Sequence, residues 1–413
     1  MSTTTVRDHG LRRDFWLFWT GQTISNLGTS FTRFALPLLV FKLTGSAVNL
    51  AASSAAEFLP YLLFGLIIGA WADRTDRKRL MIAVSLASGL VIAMIPLLYA
   101  VDRLTVWWIY ALGFVSSTLA IAFNAGEFAA IPSLVDQDDL VTANGRIQAS
   151  YAAATVAGPL LAAPLVTVLP VPTVLLFDAL SFFVSALSLA TIGRGFNSVE
   201  ERERKSIRRD IVEGLRYVIG HPVLRNISAM MALVNFVSSA SYAELVFYAK
   251  RQLAARDAQV ALLFAAGSVG VIVLSLAAGP LRKRFPFSKV ALTALMLDGL
   301  LTMALAFTHV YAVALALWAA SSGLGILFNI NTGSLRQAIV PNHLLGRVIS
   351  VAGVLAWSAI PVGTLLGGVA IERTHNVALV YGAMGALTFC IALAFSFTAL
   401  GHAERYLPTH QER

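Results

Sequence analysis

Charge, cysteine and catalytic motifs are what this chain has least of. Charged residues make up 13% of it, 57% is hydrophobic and the mean hydropathy is +0.73, whereas a soluble domain carries about 25% charge. Its 413 residues are therefore not two or three soluble domains. One cysteine, Cys390, excludes an intrachain disulfide. No Gly-Lys dipeptide occurs, so there is no P-loop and no ATP hydrolysis by that route. The seven histidines lie in loops or near expected helix ends, and there is no HExxH. That leaves no support for a catalytic or metal-binding cluster, and neither a metal nor a cofactor is expected. The chain does not read as an enzyme.

Long apolar runs are present instead, several reaching the ~20 residues that a helix needs to cross a bilayer. The net charge of +9 is a topology signal. Most Lys and Arg fall in loops on one side, the side of residues 69–79, and such an excess marks the cytoplasmic face. No nucleic-acid partner is implied, and both termini are expected to be cytoplasmic. Arg12-Arg13-Asp14-Phe15 reads as the flank of the first span, since the apolar run after it is too long for a cleavable leader.

The runs predict an all-α membrane protein of twelve spans. The first covers about Phe15 to Phe41 and the second Ala47 to Trp71. A polar connection, Pro132 to Gly145, precedes the fifth; the seventh covers Asn226 to Ala249 and the eleventh Val348 to Ile371. The only long polar segment is Arg194 to Arg225. Within it Ile211, Val212, Leu215, Val218 and Ile219 recur at helical spacing beside Arg208, Arg209, Glu213 and Arg216, the pattern of an amphipathic surface helix. The expected division is 1–193, a linker at 194–225, and 226–413. An internal repeat supports it: Gly158-Pro159 aligns with Gly363-Thr364, Asn26 and Ser30 with Asn235 and Ser239, and Gly69, Arg74 and Arg79 with Gly279, Arg284 and Lys289, at nearly one offset. Two parallel six-helix halves are the architecture of a transporter that binds substrate between them and rocks around it.

Gly69 to Arg79, GAWADRTDRKR, resembles the signature between the second and third helices of the major facilitator superfamily. Further stretches look like its bacterial 12-helix drug:proton antiporter family, which includes macrolide, tetracycline and enterobactin exporters. These are Arg13-Asp14-Phe15, Gly21-Gln22, Ser25-Asn26-Leu27-Gly28, Leu43-Thr44-Gly45-Ser46, Phe177-Asp178-Ala179-Leu180-Ser181-Phe182, Glu213-Gly214-Leu215-Arg216-Tyr217 and His221-Pro222. The chain departs from the family at Ala162-Ala163, where antiporters often carry glycines, and at Lys283, opposite Asp73 of the first signature. The resemblance implies a major facilitator fold in the bacterial cytoplasmic membrane. It also implies export of a small amphipathic molecule against protons, with the lipid bilayer as surroundings and a monomer sufficing. Export of one natural product or siderophore, and lipid flipping, remain as alternatives.

Acids inside spans cost free energy unless paired, hydrated or protonated. Glu57, ~15 Å below the outer end of its helix, falls level with Arg33, and this pair is the first candidate for proton coupling. Asp178 and Asp298 are the next. Glu244 is expected near enough to the outer end to reach water. The resemblance implies a gate of Asp73, Arg74, Arg77 and Glu127 that latches the inner side. Asn26, Asn235, Asn329 and Asn331, with Phe34, Tyr242 and Trp357, lie at cavity-lining depths and are candidates for substrate binding.

Overall fold

The helices begin and end where short polar side chains and special backbone positions allow. In a computed structural model, which describes residues 13–72, 75–135, 140–196 and 207–406, α1 spans Arg13–Thr44 and ends on Gly45 at φ +62, the left-handed conformation that suits glycine after a helix. Ser46 then starts α2 (Ala47–Ala72) by accepting from Asn49 N. Asp76 caps α3 (Arg77–Ala100), accepting from Arg79 N at 3.0 Å. There follow α4 (Val106–Leu134), α5 (Leu140–Val168) and α6 (Val171–Thr191).

The linker carries α7 (Ile207–Gly220), and His221 caps α8 (Pro222–Ala243). Partial burial lowers the affinity of the His221 ring for a proton, leaving it neutral and able to accept from Leu224 N. Next come α9 (Leu245–Arg251), α10 (Asp257–Arg284), α11 (Phe287–Phe307), α12 (Tyr311–Ile339), α13 (Asn342–Trp357), α14 (Ile360–Thr374) and α15 (Val377–Ser396), then short helical turns at Ala399–Tyr406.

Eleven of these stretches are long and apolar enough to span a membrane. The twelfth is α1, whose 32 residues reach about 48 Å. It is too polar to stand out by hydropathy, because much of its surface is buried against protein. Three expectations change. The seventh span is broken at Glu244 into α8 and α9, and the eleventh at Ser358-Ala359 into α13 and α14, just before Pro361, which has no N–H to continue a helix. The polar connection expected at 132–145 is shorter: α4 runs to Leu134, and Asn144-Gly145 lies inside α5.

The packing repeats. In the first six spans α1 lies against α5 and α6, α2 against α4, and α3 against α6; in the last six α8 lies against α14 and α15, α10 against α12, and α11 against α15. The repeated glycines occupy equivalent crossings. A β-carbon on Gly158 would stand 2.3 Å from Ser30 Cβ, and one on Gly363 1.9 Å from the Phe236 carbonyl oxygen. Without a hydrophobic effect to hold helices together in lipid, such close backbone approach supplies the attraction. The two sets of six meet through α2 with α14 and α5 with α10. One face of the molecule carries Arg77–Arg79, Arg282–Arg284 and α7; the opposite face carries Gly45, Asp102 and His375.

Gly363→Leu cannot be absorbed by a side-chain shift, because the atom it meets is backbone. We expect a lowered thermal unfolding midpoint in detergent, by at least the ~1–3 kcal/mol of ordinary overpacking, whereas Gly279→Leu, with open space around it, leaves the midpoint unchanged.

Candidate functional site

Arg33 sits nine residues below Lys42 on α1, ~14 Å into the helix, yet it is exposed. A guanidinium at that depth must face water or a partner, and here it has a partner. Its Nη1 donates to Tyr151 Oη on α5 at 2.7 Å, and its Cζ lies 5.4 Å from the Tyr151 ring centre. Around it stand Tyr61 on α2, edge-on to Trp357 at 6.0 Å, and Tyr242 on α8, edge-on to Phe264 at 5.6 Å and tilted on Trp318 at 6.4 Å. Tyr151, Tyr242 and Trp357 are 40%, 53% and 50% exposed. Aromatic rings from both halves, half open to solvent at the level of a buried-depth arginine, define a central cavity.

One end of the cavity is closed. At the opposite face Lys42 pairs with Asp257, which also binds Lys250 at 2.5 Å; Ser46 Oγ donates to Glu372 at 3.1 Å; and Phe41 meets Phe247 at 5.9 Å. Contacts between the halves continue down to Ser268 Oγ donating to the Thr155 carbonyl at 2.9 Å and to the Tyr61–Trp357 pair.

The expected residues fall in different places. Glu57 lies on α2 with its Cγ 3.7 Å from the β-carbon position of Gly113, close enough for the Arg33 charge to act on it. The two do not form an ion pair; the direct partner of Arg33 is Tyr151. Asp178 is buried between α1 and α6, where Thr29, Thr32 and Ser181 donate to it at 3.3, 2.5 and 3.4 Å. Asp298 on α11 accepts from Ser321 of α12, away from Arg33 in the fold. Of the gate, Asp73 and Arg74 lie outside the described residues. Arg77 Nη1 donates to the Phe196 carbonyl at 3.3 Å, and Glu127, half-buried near the end of α4, makes no ion pair among the described residues.

Among the candidates for substrate binding, Tyr242 and Trp357 line the cavity. Phe34 is fully buried, 5.9 Å edge-on to Phe264. Asn235 Nδ2 donates to the Ala356 carbonyl at 2.9 Å across the α13–α14 break, Asn331 Nδ2 to the Leu327 carbonyl of its own helix at 2.8 Å, Asn329 is exposed and Asn26 half-buried. Tyr151, Tyr61 and Trp318 were not anticipated, since uncharged aromatics on membrane helices carry no sequence signal of facing inward. Glu244 does not reach water: it is fully buried. No cluster of three or more His, Cys, Asp or Glu able to hold a metal is found among the described residues.

The family model described as transmembrane secretion effector matches residues 11–409. The chain belongs to that family. The chain is 26% identical over 398 residues to macrolide efflux protein A of Streptococcus pyogenes, covering 92% of this chain and 94% of that one. It is 25% identical over 399 residues to the multidrug efflux pump Tap of Mycolicibacterium fortuitum, covering 93% of each. In fold it is similar to an inward-facing, occupied bacterial homologue of the human lysosomal transporter Spinster, with a TM-score of 0.74, 13% identity and coverage of 96% and 98%. This secretion effector is a multi-pass membrane transporter of the major facilitator type, not an enzyme.

The Tyr151 hydroxyl is the fixed partner of Arg33 in this conformation. Tyr151→Phe is expected to lower stability by about 1 kcal/mol, the usual net worth of such a bond, read as a shift in thermal unfolding, with Tyr99→Phe, remote from Arg33, as the unshifted control.

Proposed function

We propose that the chain exports a small amphipathic, drug-like molecule from the bacterial cytoplasm in exchange for protons, by alternating access. The observation that carries this reading is Glu57 beside Arg33 in an aromatic cavity at mid-membrane depth, with the halves joined on one face. The names of the efflux relatives support the direction of transport. The excess of Lys and Arg supports a cytoplasmic basic face with both termini inside, in the inner membrane, so that the conformation described is the inward-open one. A monomer suffices.

In this cycle the bodies 1–193 and 226–413, joined by 194–225, rock about the cavity. Tyr61, Tyr151, Tyr242 and Trp357 supply apolar area with hydroxyl or indole N–H groups at the edges, which suits a bulky substrate with scattered polar atoms. Asn26, Asn235 and Asn329 add neutral hydrogen bonds, while Phe34 and Asn331 shape the wall from behind. Arg33 is held by Tyr151 here; when the halves rock, its approach to Glu57 stabilises the carboxylate and drives off a proton, and its withdrawal favours uptake. Asp178 positions α1 through Thr29 and Thr32, and Asp298 ties α11 to α12. Asp73, Arg74, Arg77 and Glu127 form the latch that holds the basic face shut in the outward-open state.

The test is pH change inside proteoliposomes when macrolides, tetracyclines, dyes or siderophores are added. Substrate-dependent proton movement is expected, reduced at least tenfold by Glu57→Gln in a protein that still folds. Movement unchanged by that substitution removes Glu57 from the cycle; no movement with any compound removes antiport, and movement with siderophores alone narrows the substrate to one natural product. Asp73→Asn is expected to raise labelling of a cavity cysteine from the basic face, and unchanged labelling excludes the latch.

A further inference from the structure

Among the acids inside the described spans, Glu244 is the one that the transport reading does not use. It sits at the break between α8 and α9, fully buried, with no hydrogen-bond partner for either carboxylate oxygen. The break itself is satisfied: Glu244 N bonds the Ala240 carbonyl at 2.8 Å, Tyr248 N bonds the Glu244 carbonyl at 2.8 Å, and the Ser241 carbonyl accepts from Tyr381 Oη on α15 at 2.6 Å. Tyr248 stacks on Tyr381 with ring centres 5.0 Å apart. Only the carboxyl group is left without donors, and an unpaired carboxylate is too costly to keep charged in such a place.

Its surroundings are the seam between the halves. Glu244 Oε1 lies 3.2 Å from the β-carbon position of Gly368 on α14, a point that is also 2.5 Å from Ala51 Cβ and 2.9 Å from the Ala47 carbonyl oxygen on α2. One turn further on α14, on the same helix face, Glu372 accepts from Ser46 across the halves, and its charge reaches Glu244. The groups facing Glu244 are therefore Glu372 from α14, Tyr381 from α15 and Tyr248 from α9, while α2 presents neutral alanines; no cation among the described residues offsets the acid. Closing α2 on α14 seals Glu244 from water, and parting them wets it.

We propose that Glu244 is a proton-binding site that locks the opposite face. Protonated, it permits α2 to close on α14; ionised beside Glu372, it forces the seam apart. The break also joins this lock to the cavity, since Tyr242, two residues earlier, stands against Phe264 and Trp318. The proton enters and leaves from the face that opens, so Glu244 gates the cycle and Glu57 remains the carrier. The proposal rests on alternating access as read above, but it is tested without transport. The closed state holds one proton more than the open state, so raising pH favours opening.

The experiment places spin labels on Leu43→Cys and Arg373→Cys, exposed residues of the two halves at that face, in a Cys390→Ser background in lipid nanodiscs, and measures their distance distribution from about pH 5 to about pH 9. The open-to-closed ratio is expected to rise with pH, by up to about tenfold per unit, the limit for one proton. With Glu244→Gln the closed distance persists at every pH. With Glu372→Gln, an exposed change that leaves the packing intact, the midpoint falls, because one fewer negative charge opposes ionisation of Glu244. A Glu244→Gln protein that titrates like the background, or an unmoved midpoint in Glu372→Gln, overturns the proposal. The titration seen without substrate-driven proton flux keeps this lock and loses antiport; flux lost in Glu57→Gln, with titration unaltered in Glu244→Gln, keeps antiport and loses the lock.

Discussion

Hydrocarbon offers no partner to a backbone amide or a charged side chain, and that constraint organises the molecule. Asp178 meets it with three hydroxyl donors between α1 and α6. The broken seventh span meets it through the Tyr381 hydroxyl, which takes up the Ser241 carbonyl at the break. Arg33 meets it by bonding Tyr151 on α5. Asp178 and Arg33 thus survive inside the spans because the fold has built them partners, whereas the Glu244 carboxyl group is buried without one. A polar α1 is tolerable only because neighbouring helices and the cavity surround it.

The same constraint separates static from movable parts. Where α5 crosses α1 and α14 crosses α8, glycines bring backbones into contact, and these crossings tie each half into a body that cannot slide without clash. Between the halves, the joining contacts on the opposite face include polar and aromatic pairs, Lys42 with Asp257, Ser46 with Glu372 and Phe41 with Phe247, beside the close packing of Gly368 on Ala47 and Ala51. Such contacts can be exchanged for water at modest cost. Rigid halves and an exchangeable seam are what rocking around a fixed cavity requires.

The cavity combines rigid amphipathic rings with one guanidinium and one carboxyl group. Rings from α2, α5, α8 and α13 provide area without a fixed hydrogen-bond pattern. In the proposed cycle, Arg33 and Glu57 provide the charge that a proton modulates. Glu244 answers to a different geometry, sealed in the seam instead of the cavity, so two acids in one chain can serve separate steps.

Composition and hydropathy determined much by themselves. They placed the long apolar spans, the amphipathic linker helix and the basic loops, because membrane thickness and the loop excess of Lys and Arg impose long, regular patterns on a chain. The spacing of Gly158 and Gly363 carried the repeat, because only small residues fit those crossings. Tertiary structure alone decided which way side chains turn and what they meet. Arg33 binds Tyr151 instead of Glu57, and of the asparagines Asn235 bonds α13 while Asn331 bonds its own helix. Glu244, five residues beyond Ser239 on a span that reads as continuous, is buried because the helix breaks there. Burial of one side chain depends on a neighbour from the other half of the chain, packed against it at a distance in sequence that no local pattern records.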